Sequence, residues 1–178
     1  MTSQDPGAVA HRILDAILYM VLATADEAGR PWASPVYFAH SGYTELFWVS
    51  SPEATHSRNI AVRPQVSIVV FDSTVPVGSG QGVYMEAEAG EVPDEELERG
   101  IAIFSRRSLE TGGSAWTPDD VRGGAGLRLY RAVASEHSIL AKDGAPDHRV
   151  VVDLPGVDRA QHQGEVVVVD RRERPEHG

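Results

Sequence analysis

The sequence predicts a mainly β, α+β domain: an antiparallel barrel or sandwich of six or seven strands with a few short helices. Short β-branched and aromatic runs recur along the chain. Most are joined by brief turns suited to hairpins rather than crossovers. Only a few segments repeat apolar residues at helical spacing.

Asp5-Pro6 opens the first helix, with Asp as N-cap and Pro at the first helical position. Val9, Ile13, Ala16 and Ile17 give that helix one apolar face. Residues 19–25 read as a strand, 26–29 as a turn, 32–40 as a second strand and 45–49 as a third. Residues 53–62 form a short helix closed by Arg63-Pro64, and 65–72 a fourth strand. The alternation of Val83, Met85, Ala87 and Ala89 with Tyr84, Glu86 and Glu88 marks a half-exposed strand. A helix follows from Pro93 to about Arg107, with acids in its first turn and arginines in its last. Thr117-Pro118 starts one more helical turn, and residues 127–137 return to a strand. Two further β-like runs lie at 149–154 and 165–170, and the charged tail 171–178 is expected to be disordered.

With 178 residues the chain has the length of one domain, taken as 1–170, with a sizeable core. A net charge of −10 argues against a nucleic-acid partner, which calls for a basic stripe. No run approaches the roughly 18 apolar residues of a membrane span. The N-terminus lacks the basic-then-apolar pattern of a secretion signal, so a cytoplasmic location is expected. There are no cysteines, which excludes thiolate chemistry, and Lys142, the only lysine, sits in a polar stretch.

Residues 78–82 and 123–126 are glycine-rich but precede strands, so neither supplies the helix start of a dinucleotide loop. Seven histidines show no paired helical spacing, which leaves no metal site, and no serine sits in a nucleophile elbow. Any reaction would therefore be carried by a cofactor, and no catalytic side chain is assigned. The richest stretch is 46–70. An apolar run ends in Ser50-Ser51-Pro52, and a helix start bearing Thr55, His56, Ser57, Arg58 and Asn59 follows. Hydroxyls, helix-start amides and a guanidinium make an anion cradle. Equally, these residues read as a strand–helix–strand packing unit with Trp48 in the core, His56 solvated and Arg58 paired with Glu53 or Glu95.

The order of Val21-Leu22-Ala23-Thr24, Ser34-Pro35-Val36, Leu46-Phe47-Trp48-Val49-Ser50, Thr55-His56-Ser57-Arg58-Asn59 and Arg63-Pro64-Gln65-Val66-Ser67 resembles the pyridoxamine 5'-phosphate oxidase-like, FMN-binding split-barrel superfamily. The likeness spans residues 14–140. It implies a six- to seven-stranded antiparallel split β-barrel that pairs as a homodimer, with cofactor at the interface. By resemblance, Ser34, Pro35 and Val36 lie beside a flavin ring. Trp48, Val49, Ser50 and Ser51 flank the ring and ribityl chain, and Thr55, His56, Arg58 and Asn59 hold the phosphate. Gln81 or Gly82 approaches the ring from the neighbouring subunit. The chain departs from the family pattern at His56, where a lysine is usual, and early in the second strand, where a basic residue is expected. The arginine pattern of the vitamin-forming oxidases is also absent. The resemblance therefore implies an FMN-dependent oxidoreductase acting on a small molecule other than pyridoxamine phosphate. Alternatives on the same scaffold are a deazaflavin (F420) reductase, a haem-binding barrel with His137 as first ligand candidate, and a non-catalytic flavin-binding or structural dimer.

Overall fold

The computed structural model describes residues 5–143 and 145–154. The run at 165–170 and the tail lie outside them. Helix α1 (Pro6–Ala16) begins as the sequence predicts: the Asp5 carboxylate accepts from Gly7 N at 3.2 Å and Ala8 N at 3.3 Å. Its far end is capped from a distance. One Arg107 nitrogen donates to the carbonyls of Leu14, Asp15 and Ile17 at 3.0–3.3 Å, placing a cation where the helix dipole is negative.

Among the described residues, eight strands make one antiparallel sheet. They are β1 (Tyr19–Ala25), β2 (Pro31–Tyr37), β3 (Ala39–Ser41), β4 (Glu45–Ser50), β5 (Gln65–Phe71), β6 (Gly82–Glu91), β7 (Arg128–Leu140) and β8 (Arg149–Val151). Seven lie on one path, β2-β1-β5-β6-β7-β4-β3, and β8 pairs with β7 beyond the end of β4. The single strand expected at 32–40 is two. Phe38 is wholly buried with the Arg107 guanidinium over its ring, and there the chain leaves β1's partner and crosses to the opposite edge of the sheet. That crossing curls the sheet into a split barrel. β7 bends to serve both halves through a bulge opposite Glu86/Ala87, where Ser135 Oγ donates to the Glu86 carbonyl.

The strand β4 is covered on both sides. Leu46 and Trp48 point into the barrel with Leu22, Ile68, Met85 and Tyr130. Phe47 points the other way, against Leu97, Ile101 and Phe104 of α3 (Asp94–Glu110). This two-sided burial explains the unbroken apolar run at 46–49, since only a half-exposed strand needs alternation. Each such side chain contributes about 1.5–3 kcal/mol on burial. At the rim, Glu45 pairs with both Arg99 and Arg131, and Arg131 with Glu96. Half-exposed Arg99 adds at most about 1 kcal/mol to this network.

Gly100 is the point of closest approach between α3 and the sheet. A Cβ there would lie 2.8 Å from Leu129 Cδ2 and 3.2 Å from Phe47 Cε1. Gly100→Ala should gain helix propensity yet lose about 1–3 kcal/mol net through overpacking. Chemical denaturation at constant m-value measures this; an unchanged or raised midpoint would mean that α3 is free to lift.

Candidate functional site

The candidate site forms where β4 ends and the short helix α2 (Thr55–Val62) begins. A turn links them: Ser51 Oγ accepts from Glu53 N at 3.2 Å, and the Ser51 carbonyl accepts from Ala54 N at 3.1 Å. The turn places Ala54 at the N-cap, and among the described residues no side chain caps the helix. The first-turn amides thus point outward without a capping oxygen and carry the positive end of the helix dipole.

His56 sits in this first turn. The sequence alone favours a solvated ring, but the fold buries it to 8% exposure. Its Nε2 lies 2.8 Å from Ser50 Oγ and its Nδ1 3.2 Å from Ser34 Oγ. Ser34 Oγ in turn accepts from Trp32 Nε1 at 2.9 Å. A polar chain, Trp32–Ser34–His56–Ser50, therefore ties β2, α2 and β4 together. The β2 register explains its first half. Trp32, Ser34 and Val36 pair with the buried Thr24, Leu22 and Met20, whereas Pro35 pairs with Val21 on the outer face. Burial alone pushes the His56 pKa below the ordinary 6.5. Its imidazole is neutral at pH 7, so one nitrogen donates and the other accepts.

The remaining residues singled out in the sequence fall at different distances from this chain. Ser51 and Thr55 flank it in the same turn. Asn59 is buried one turn further on, its Nδ2 donating to Thr24 Oγ1 at 3.0 Å, and so tethers α2 to β1. Arg58 faces solvent with 59% of its side chain exposed, bonded to the Glu53 carbonyl and 4.0 Å from its carboxylate. Trp48 is enclosed in the barrel, stacked on Tyr130 at 5.7 Å and 17°. Val49 packs on the opposite face, toward α3. Gln81 lies at the far end of the β5–β6 hairpin from α2, beside Asp72 and Tyr84 on a cleft of about 280 Å³. Within the chain it does not meet the α2 site.

Trp32 is the residue that sequence reasoning missed. Its half-exposed ring stands at the rim, and the only signal for it was that it shares a strand face with Ser34. Two buried polar atoms beneath α2 also lack a hydrogen bond of normal geometry: Trp48 Nε1 and Ser57 Oγ. Both adjoin Tyr130, whose hydroxyl pKa is raised by burial against the opposing effect of the Ser57 hydroxyl. The donor set around the helix start fits an anion. The nearby cations, however, are already engaged: Arg58 by Glu53, Arg63 by the Glu27 carbonyl, and Arg128 by Glu91 and the carbonyls of Gly123, Ala125 and Leu127.

His137 occupies the barrel interior at 1% exposure, its Nε2 within 2.9 Å of the carbonyl of Tyr43. Tyr43 has φ of +64° in the β3–β4 turn, so the imidazole satisfies a carbonyl that the left-handed backbone aims inward. Among the described residues, no group of three or more His, Asp or Glu side chains is placed to hold a metal ion. None of their helices is long and apolar enough to cross a membrane.

The family model for pyridoxamine 5'-phosphate oxidase matches residues 8–135, which take in α1 through most of β7 and the whole candidate site. The chain belongs to that family. The solved structures similar to it include HutZ, a heme storage protein from Vibrio cholerae, at 26% identity and a TM-score of 0.57, covering 70% of this chain and 86% of that one. An FAD-binding protein from Mesorhizobium loti is 22% identical with a TM-score of 0.57, covering 78% and 97%. An F420 reductase is 19% identical with a TM-score of 0.55, covering 72% and 94%. The last two likenesses are of fold. No curated protein matches the sequence significantly. Proteins of this fold thus include a heme storage protein, an FAD-binding protein and an F420 reductase, and the family model itself is named for an oxidase.

Burial lowers the pKa values of His40, His56 and His137 from 6.5 in the folded chain, desolvation being the largest cause in each case. The unfolded chain therefore takes up more protons between those folded values and 6.5, and this part of the stability is complete above pH 6.5 and lost as pH falls below it. Urea midpoints should decline progressively from pH 7 to pH 5. A flat profile across that range would mean that these rings are hydrated in solution.

Proposed function

We propose that the protein is an FMN-dependent oxidoreductase that holds its cofactor at a homodimer interface and acts on a small organic molecule. The observation that carries this reading is the uncapped start of α2 beside Ser34, Ser50 and His56, in a chain of the pyridoxamine 5'-phosphate oxidase family. The amides of Thr55, His56 and Ser57, with the hydroxyls of Ser50, Ser51 and Thr55, would hold the phosphate. The inner edge of β2, from Trp32 to Val36, would lie along the ring. Bound flavin would supply electron or hydride transfer; the chain's own part is to position the ring and exclude water from one side of it. Arg58 contributes less than its permanent charge suggests, because it is exposed and already engaged by Glu53.

The dimer reading rests on the outer face of β1, β2 and β5. Tyr19, Val21, Ala23, Ala33, Pro35 and Val69 line it with no charged neighbour in register on those strands. An apolar sheet face of this kind calls for a cover. A second copy, related by a twofold axis, would bring its own Gln81 cleft toward the α2 site. The heme-binding reading draws chiefly on the 26% identity to HutZ. Within it, His137 is a poor ligand, because its ring is enclosed in the barrel interior at 1% exposure, where a group as large as haem does not reach it.

Titration of the purified protein with FMN, F420 and haemin, followed by visible absorbance, separates these readings. FMN is expected to bind with a shifted flavin band, and a protein that binds haemin alone would overturn the proposal. Arg58→Ala should change the FMN Kd less than threefold, whereas a loss of tenfold or more would show that the guanidinium swings into the site. Ala23→Arg should give a monomer in analytical ultracentrifugation and abolish FMN binding, while a variant that stays dimeric would place the interface elsewhere.

A further inference from the structure

We infer that His56 is a proton-coupled positioning residue, which makes the site selective for a phosphate monoester and draws about one proton into the protein when that group binds. The inference rests on the flavin reading above and specifies how a site without a fixed cation would hold a dianion.

The hydrogen-bond chain supplies the reason. A neutral imidazole offers one N–H and one lone pair, so one of its two serine partners must turn its own O–H toward the ring. Ser34 Oγ already accepts from Trp32 Nε1 at 2.9 Å. When both ring nitrogens carry protons, each donates to a serine oxygen, and both hydroxyl protons are freed to point outward. One proton on His56 thus adds a positive charge and a second outward O–H donor at the uncapped helix start. Ser57, in the same first turn, is a further buried hydroxyl, set beside the Tyr130 hydroxyl.

The surroundings leave this role to His56. On α2 and its lead-in, Arg58 and Glu53 engage each other in solvent. From β7 and β6 come Tyr130, Arg128 and Glu91, the last two paired at 3.4 Å. At the far end of the helix Arg63 reaches the Glu27 carbonyl. β1 and β2 present Thr24, Trp32 and Ser34, none of them charged. None of these groups shifts the imidazole, which is set by burial alone. A phosphate monoester has a second ionisation near pH 6 and reaches two negative charges, enough to draw a proton onto the ring. A phosphodiester or a carboxylate carries one charge and draws it less.

Isothermal titration calorimetry in buffers of different ionisation enthalpy reads the proton directly. With FMN at pH 7.5, wild type should take up about one proton, and the Kd should weaken severalfold per pH unit from 6.5 to 8.5. Riboflavin, which lacks the phosphate, should show neither effect. His56→Gln should bind FMN at least tenfold more weakly with no uptake, and His56→Lys should restore affinity with no uptake and a flat pH profile. Circular dichroism confirms that each variant folds; if neither does, the same uptake measured in Ser50→Ala should be reduced. Wild-type binding without proton uptake, or uptake undiminished in His56→Gln, overturns the inference. If FMN does not bind, the His56 ring is followed by NMR with inorganic phosphate. A pKa raised by phosphate then supports the proton coupling while the flavin reading fails, and an unmoved pKa overturns the coupling as well.

Discussion

The burial of β4 on both faces is the constraint from which the rest of the structure follows. Trp48 and Leu46 lock the strand into the barrel, and Phe47 locks it beneath α3, with Gly100 allowing the helix to come close. A strand held on both sides cannot slip in register, because a one-residue slip would exchange its two apolar faces and misplace every contact. Its last residue, Ser50, is therefore delivered at a fixed point, and the turn at Ser51 sets the start of α2 directly against it. The position of His56 is a consequence: the ring lands between Ser50 and the inner edge of β2.

Much of this fold could be read from local chemistry. The Asp5-Pro6 cap, the strand at 19–25, the alternation along 83–89 and the acidic start of α3 each carry their signal within a few residues, and each falls in the element the sequence predicts for it. The break at Phe38 was not legible, since 32–40 is continuously strand-like and only the closure of the barrel demands a crossing there. The site was half legible. Hydroxyls and a helix start at 50–59 pointed to an anion, but the burial of His56 depends on Ser34, a strand pairing away, and no local pattern records that contact. The Arg58–Glu53 pair was visible as an alternative from spacing, and the geometry realises it in the free chain. Trp32 went unnoticed because a rim tryptophan looks like any β-strand residue until its Nε1 is seen to fix Ser34.

The electrostatic character of the site follows from the same packing. The chain is acidic overall, and its arginines near α2 are committed to carbonyls or carboxylates. What remains is a set of dipoles: helix amides, two serine hydroxyls, an indole N–H and a neutral imidazole. Dipoles that are already oriented bind an anion with little reorganisation, and a buried imidazole can add charge when an anion arrives. Such a site differs from one built on a lysine, whose charge is present whether or not the anion is.

The central claim is that the helix start beside Ser34, His56 and Ser50 receives the phosphate of a flavin, and a crystal structure of the protein grown with FMN tests it most directly. The phosphate is expected within hydrogen-bond reach of the first-turn amides of α2 and the hydroxyls of Ser34 or Ser50, with the ring along β2 at a twofold interface. Flavin density elsewhere, or an α2 start that stays empty at saturating FMN while the Ser34–His56–Ser50 chain is intact, would contradict it.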